Sequence, residues 1–181
     1  MRTRLALLSI IAAGLLGGCA SYAGRGLQAG ASTTDDVQAL MGPPTLRWSD
    51  ADGGEQLAYV RGPAGFHTIM VRTDRSGILI SRENALAPKQ FAKLRPGMTQ
   101  DEVLRLLGPP DPLRTAYFAA RDELVWDWRW CDDYAEPARF YVLFDGTSGT
   151  LRTTMSQPES MAYGLRSREY CNRHTIGLPA D

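Results

Sequence analysis

The stretch Arg95-Pro96-Gly97-Met98-Thr99-Gln100-Asp101-Glu102-Val103-Leu104-Arg105-Leu106-Leu107-Gly108-Pro109-Pro110 decides the reading of this chain. Pro96-Gly97 marks a tight turn. Thr99 followed three positions later by Glu102 has the spacing of a capping box, in which hydroxyl and carboxylate satisfy each other's free amides at a helix start. Val103, Leu106 and Leu107 follow i, i+3, i+4 spacing and make one apolar stripe. Gly108-Pro109-Pro110 then stops the helix, because glycine suits the C-terminal turn and proline cannot continue it. A helix of about nine residues is marginal alone, so packing on a sheet must hold it.

A weaker copy lies upstream. Placing Val37 on Val103 puts Thr33 on Thr99, Asp35 on Asp101, Gly42 on Gly108, and Pro43-Pro44 on Pro109-Pro110. Asp35 and Asp36 sit in the first turn, where acids suit the helix dipole, and Val37, Leu40 and Met41 repeat the apolar stripe. Strand-like runs follow each helix. They lie at 45–48, 56–61, 67–73 and 78–82 after the first, and at 114–118, 123–131, 139–144 and 150–155 after the second. Asp52-Gly53, Gly62-Pro63 and Asp74 to Gly77 supply turns in the first set, and Asp145 to Gly149 answers Asp74 to Gly77 in the second. Residues 85–94 form a short helical link with Phe91 and Leu94 turned inward.

The predicted fold class is therefore α+β: two tandem small units, each of short helices packed on a three- to four-stranded antiparallel meander. They occupy 30–85 and 86–156, and a tail follows at 157–181. One helix cannot cover such a sheet, and a lone small sheet is barely stable. The two units are expected to share cover.

The chain opens with a targeting signal at 1–18. Arg2 and Arg4 form a basic start, and 5–16 is apolar but shorter than the roughly 20 residues that span a bilayer. It ends in Leu16-Gly17-Gly18-Cys19, which resembles the bacterial lipobox. That resemblance implies cleavage before Cys19 and acylation of Cys19, and several acyl chains on one residue hold stably to a membrane. Ala20, not aspartate, follows, and by resemblance to Gram-negative lipoproteins the expected address is the outer membrane, lipid-anchored and periplasm-facing. Residues 19–29, with Gly24 and Gly26, suit a flexible lipidated tether; the glycine spacing is wrong for a dinucleotide loop.

The chain carries 20 basic and 20 acidic residues. A near-neutral balance lacks the basic stripe that nucleic acid requires. Beyond Cys19, the chain's other cysteines are Cys131 and Cys171, an even pair in an oxidising compartment, and a Cys131–Cys171 disulfide is expected.

Catalysis needs a nucleophile with a base, or carboxylates tuned apart. The chain offers only His67 and His174, and Gly146-Thr147-Ser148-Gly149 is a hairpin turn, not a nucleophile elbow. No catalytic residue and no cofactor is expected, and the protein is read as a non-enzyme. Cys171-Asn172-Arg173-His174 has half the spacing of a zinc site, with Cys131 as the one further thiol on offer; the disulfide is preferred and no metal is expected. Asp132, Asp133 and Glu136 read as a solvated loop. In 123–131, Leu124, Trp126, Trp128 and Trp130 share one face, and Val125, Asp127 and Arg129 the other. If the tryptophan face packs under a helix, the rings are core. If it is open, Trp126, Trp128 and Trp130 with Arg129 and Tyr141 make a binding surface, since aromatics and arginine concentrate in hot spots.

The segment 94–103 with Leu107-Gly108-Pro109-Pro110 resembles the core motif of the BamE (SmpA/OmlA) lipoproteins. The lipobox at Cys19, the strand around Trp126 and the strand-turn from Phe140 to Gly149 agree with that pattern. The resemblance implies short helices on an antiparallel sheet, and a lipid-anchored partner of envelope and β-barrel assembly proteins. Family members usually carry one such unit, whereas this chain carries two. Tandem units also resemble the secreted β-lactamase inhibitory proteins, so the alternative expectation is a periplasmic inhibitor or ligand-binding module.

Overall fold

Both copies of the capped helix fold onto the same frame. The computed structural model describes residues 24–60, 65–163 and 171; the signal segment, Cys19 and His174 lie outside them. In chain order the elements are α1 (Thr34–Met41), β1 (Leu46–Ser49), β2 (Glu55–Val60), β3 (Thr68–Thr73) and β4 (Leu79–Asn84). They continue with α2 (Pro88–Phe91), α3 (Gln100–Leu107), β5 (Ala116–Phe118) and a 3-10 turn at Ala119–Arg121. β6 (Glu123–Cys131), β7 (Pro137–Asp145), β8 (Leu151–Pro158) and α4 (Glu159–Tyr163) complete them. Two four-stranded antiparallel sheets result, ordered β1-β2-β3-β4 and β5-β6-β7-β8. The expected α+β fold with two tandem units is what the chain adopts.

The helix caps explain why such short helices persist. Thr33 Oγ1 accepts from Asp36 N at 3.2 Å while the Asp36 carboxylate accepts from Thr33 N at 2.8 Å. Thr99 Oγ1 accepts from Glu102 N at 3.3 Å, and Glu102 accepts from Thr99 N at 2.7 Å. These bonds hold the Asp36 and Glu102 carboxyls below the ordinary range. Thr99→Ala is expected to cost about 1 kcal/mol, read as a lower urea midpoint with an unchanged slope. Gly108 is required twice over. Its φ of +76° is left-handed, and a Cβ there would lie 2.6 Å from Thr68 Cγ2. Only glycine lets the end of α3 approach the first sheet so closely.

The duplication extends past the helices. The β3/β4 register slips between Arg72 and Thr73, and the β7/β8 register slips at the matching place, between Leu143 and Phe144. Thr33 bridges Ile78 and Thr99 bridges Thr150. Leu79 N donates to Ser32 O at 2.8 Å, and Leu151 N donates to Met98 O at 2.7 Å. In the connecting turns, Asp74 Oδ1 accepts from Ser76 N and Ile78 N, and Asp145 Oδ1 accepts from Ser148 N.

Each unit has its own core. Val37 and Met41 of α1 pack on Leu57, Tyr59, Ile69, Val71 and Leu79. Val103 and Leu107 of α3, with Leu94, pack on Trp126, Trp128, Phe140, Val142 and Phe144. The shared cover is supplied by α3, which touches both sheets. Its Arg105 carbonyl accepts from Gln56 Nε2 of β2. The Arg105 guanidinium lies 5.8 Å from the Trp48 ring and 3.5 Å from Asp50. The second face of the first sheet thus rests on a helix of the second unit.

Candidate functional site

The tryptophan strand reads one way in the structure. Trp126, Trp128 and Trp130 are 8%, 3% and 7% exposed. α3 and α2 are the physical reason: Val103 and Leu107 pack on that face, and α2 brings Phe91 onto it. Phe91 stacks on Phe140 with centroids 3.8 Å apart and meets Trp130 edge-on at 5.0 Å. Trp126 meets Phe144 edge-on at 4.7 Å. Edge-to-face and offset contacts of this kind stabilise beyond area burial. Of the two readings of this strand the structure shows the core one, and Trp126, Trp128 and Trp130 do not form an open surface with Arg129 and Tyr141. The rings are core, and Arg129 and Tyr141 lie on the opposite face of the sheet.

That opposite face carries a network of ion pairs. Strand register sets Arg129 directly across from Arg139, and Asp127 across from Tyr141. Like charges facing one another are unfavourable unless a counter-ion joins them. Glu159, the first residue of α4, supplies it. Arg129 Nη2 reaches Glu159 Oε2 at 2.6 Å, and Arg139 Nε reaches Glu159 Oε1 at 3.0 Å. Arg139 also faces Asp127 at 3.4 Å and Asp111 at 3.8 Å. Asp111, on the loop after α3, is positioned by its own N–H, which donates to Asp127 O at 2.8 Å. Arg114 approaches Asp111 at 3.7 Å and lies 4.3 Å from the Tyr163 ring. The side chains of Arg139, Asp127 and Asp111 are 3%, 3% and 7% exposed, so this is a buried network.

α4 lies over it. Tyr163 of α4 lies 5.4 Å from Arg139. Cys171 is bonded to Cys131 at the end of β6, with Cα atoms 5.6 Å apart. The expected disulfide is present, and it engages the thiol of the half zinc motif together with Cys131. Asp132 Oδ1 accepts from Tyr134 N and Glu136 N, both at 2.9 Å, so this carboxylate shapes the β6–β7 turn. His67 is buried just ahead of β3. Among the described residues no group of three or more His, Cys, Asp or Glu could hold a metal ion. None of their helices is long and apolar enough to cross a membrane.

Burial pushes the Asp127 carboxyl up to about 6, against the pull of Arg139 and Arg114 and with a further push from Asp111. The ordinary value is 3.8. A carboxyl whose folded pKa is raised binds more protons in the folded state between these values. Its contribution is full below pH 4 and is lost as pH rises to 6. The carboxyl of Asp145, held down to about 2 by Ser148 and Arg152, acts oppositely and loses its contribution only as pH falls below 4. The stability of the protein minus that of Asp127→Asn is expected to decline between about pH 4 and 6 and to be flat above, measured by urea unfolding across that range.

Sequence reasoning missed Asp111, Arg114, Arg139 and Glu159. The available signal was the pairing itself, since a hairpin turned over 132–136 sets Arg129 against Arg139 and demands a carboxylate between them. Chemically the arrangement is a clamp. Its carboxylates face guanidinium groups.

No family model and no curated protein matches the chain. Among solved structures it is similar to an extracellular protein containing a SCP domain from Bacillus anthracis str. Ames, at 14% identity and a TM-score of 0.26. The match covers 77% of this chain and 46% of that one, so less than half of that structure is spanned. A likeness this loose carries no argument.

Proposed function

We propose that this protein is a non-enzymatic lipoprotein anchored through acylated Cys19 to the outer membrane. Facing the periplasm, its tandem BamE-like units bind envelope proteins and support β-barrel assembly or envelope integrity. The observation that carries this reading is the doubled unit behind a lipobox. The capping box, glycine stop, helix-to-strand bridge and late register slip each occur twice. A chain that repeats a small α+β scaffold offers surfaces for partners and needs no reaction centre. An inhibitor gripping its target with an open sheet fits less well, because the second face of the first sheet rests on α3 and that of the second carries α4.

Two measurements test the reading. Cys19→Ser is expected to move the protein from the membrane fraction to the soluble fraction. Crosslinked affinity capture of the lipidated chain is expected to recover envelope proteins, barrel assembly factors among them. Membrane association that survives Cys19→Ser would sink the anchor, and capture that yields no envelope protein would sink the partner class.

A further inference from the structure

The chain enters the fold at a fixed point close to Cys19. Of the segment 19–29, expected as a tether, the residues from Gly24 on are held on the first unit. Leu27 N donates to Gly24 O at 3.1 Å, Gln28 N to Ser32 Oγ at 2.9 Å, and Gly30 N to Leu79 O at 2.8 Å. Leu27 packs against the core that α1 covers. Gly24 is buried with a φ of +65°, and a Cβ there would lie 2.7 Å from Leu27 Cδ1 and 2.9 Å from Met41 Sδ. Only glycine fits that corner.

Four residues, Ala20 to Ala23, separate Cys19 from Gly24. The link between them spans at most about 17 Å when fully extended, and about 12 Å on average as a flexible chain. With acyl chains holding Cys19 in the headgroup layer, the first unit cannot leave the bilayer surface. The side it presents follows from the entry point. Gly24 meets Met41 at the end of α1 and Arg82 of β4, whose strand partner Val71 belongs to the core under α1. The entry thus lies in the layer of α1. α3 rests on the other face of the first sheet, the second sheet lies beyond α3, and α4 covers its far face. In that stack α4 comes last. Arg25, exposed beside the entry point, suits the phosphate of lipid headgroups. Asp35 and Asp36 lie in the first turn of α1, at the end away from Met41 and the entry.

We propose that the first unit lies on the phospholipid leaflet with its α1 layer against the headgroups, and that the second unit stands away from the membrane to meet partners. This rests on the Cys19 anchor of the proposed function and adds to it the face that meets lipid. The shortness of the link holds that face down, without a lipid pocket. α1 turns Val37 and Met41 into the core and leaves Ala39 exposed toward the leaflet. Met161 of α4, 76% exposed, lies on the side away from it.

The test uses the lipidated full-length protein in vesicles of phosphatidylethanolamine and phosphatidylglycerol that include a lipid with a nitroxide on its headgroup. A bimane label is placed on Ala39→Cys or on Met161→Cys, since Cys131 and Cys171 are bonded to each other and do not compete for it. The label at Ala39→Cys is expected to lose most of its emission, and the label at Met161→Cys to keep its own. A glycine-serine insertion of about 20 residues between Ala23 and Gly24 raises the average reach to about 27 Å, and it is expected to restore the emission at Ala39→Cys. The proposal is overturned by equal quenching, or none, at the two positions, by stronger quenching at Met161→Cys, or by quenching at Ala39→Cys that the insertion leaves unchanged. Each of these leaves the anchor standing, because the protein is still on the vesicles. Failure of the lipidated protein to float with the vesicles would overturn the anchor and the proposal together.

Discussion

Arg139→Met is expected to destabilise the protein by about 3–5 kcal/mol, more than any single cap. The guanidinium of Arg139 touches carboxylates from three places in the chain: Asp127 on β6, Asp111 on the loop after α3, and Glu159 on α4. Methionine fills similar volume, so packing is not the main loss. The loss arises because Asp127 and Asp111, buried and close together, are left facing one another without their cation. A rescue separates the charge effect from a packing effect. With Asp127→Asn added, one of the two stranded carboxylates is gone, and a large part of the loss is expected to return. Asp127→Asn alone is expected to be mild, because it removes a carboxylate whose burial is itself unfavourable and leaves Arg139 with Asp111 and Glu159. Urea unfolding of the four proteins at pH 7 gives the cycle, and a rescue of zero would refute the electrostatic account.

The parts of the fold legible in the sequence are those set by local chemistry. Thr99 with Glu102, the stripe of Val103 and Leu107, and the Gly108 stop are short-range signals, and each appears in the structure as a cap, a buried face and a left-handed glycine. The copy at Thr33 to Gly42 was readable for the same reason, since aspartate performs the role of Glu102. Strand alternation in 123–131 was readable too, and it set Trp126, Trp128 and Trp130 on one face. It left open which face is covered, because that depends on where α2 carries Phe91.

What escaped the sequence is long-range and charged. Arg139 and Glu159 are 20 residues apart and meet only because β8 returns the chain alongside β7. Charged residues on an alternating strand look like a solvated face. Here that face is sealed by α4, so the same pattern became a buried clamp. Arg105 is similar: a helix-surface arginine by sequence, it reaches Trp48 and Asp50 of the other unit because α3 serves both sheets.

Reducing the Cys131–Cys171 bond, or replacing both cysteines with alanine, is expected to destabilise the protein by about 3–4 kcal/mol, the chain-entropy value for a closed loop of this length. The sequence separation is 40 residues, and the loop contains β7, β8 and α4. The bond does more than close a loop. The tail is fixed at one end by Glu159 on the arginine pair and at the other by Cys171 on β6. Release of the Cys171 end loosens the cover over Asp127 and admits water to the network. Desolvation is the largest cause of the raised Asp127 carboxyl, so its pKa is expected to fall back toward the ordinary range. The consequence is specific. In the cysteine-free protein the stability decline between about pH 4 and 6, taken against the same protein carrying Asp127→Asn, is expected to flatten. Simple loss of loop entropy lowers stability equally at every pH. An undiminished decline would therefore show that α4 alone seals the network, and a flattened one that the disulfide holds the seal shut.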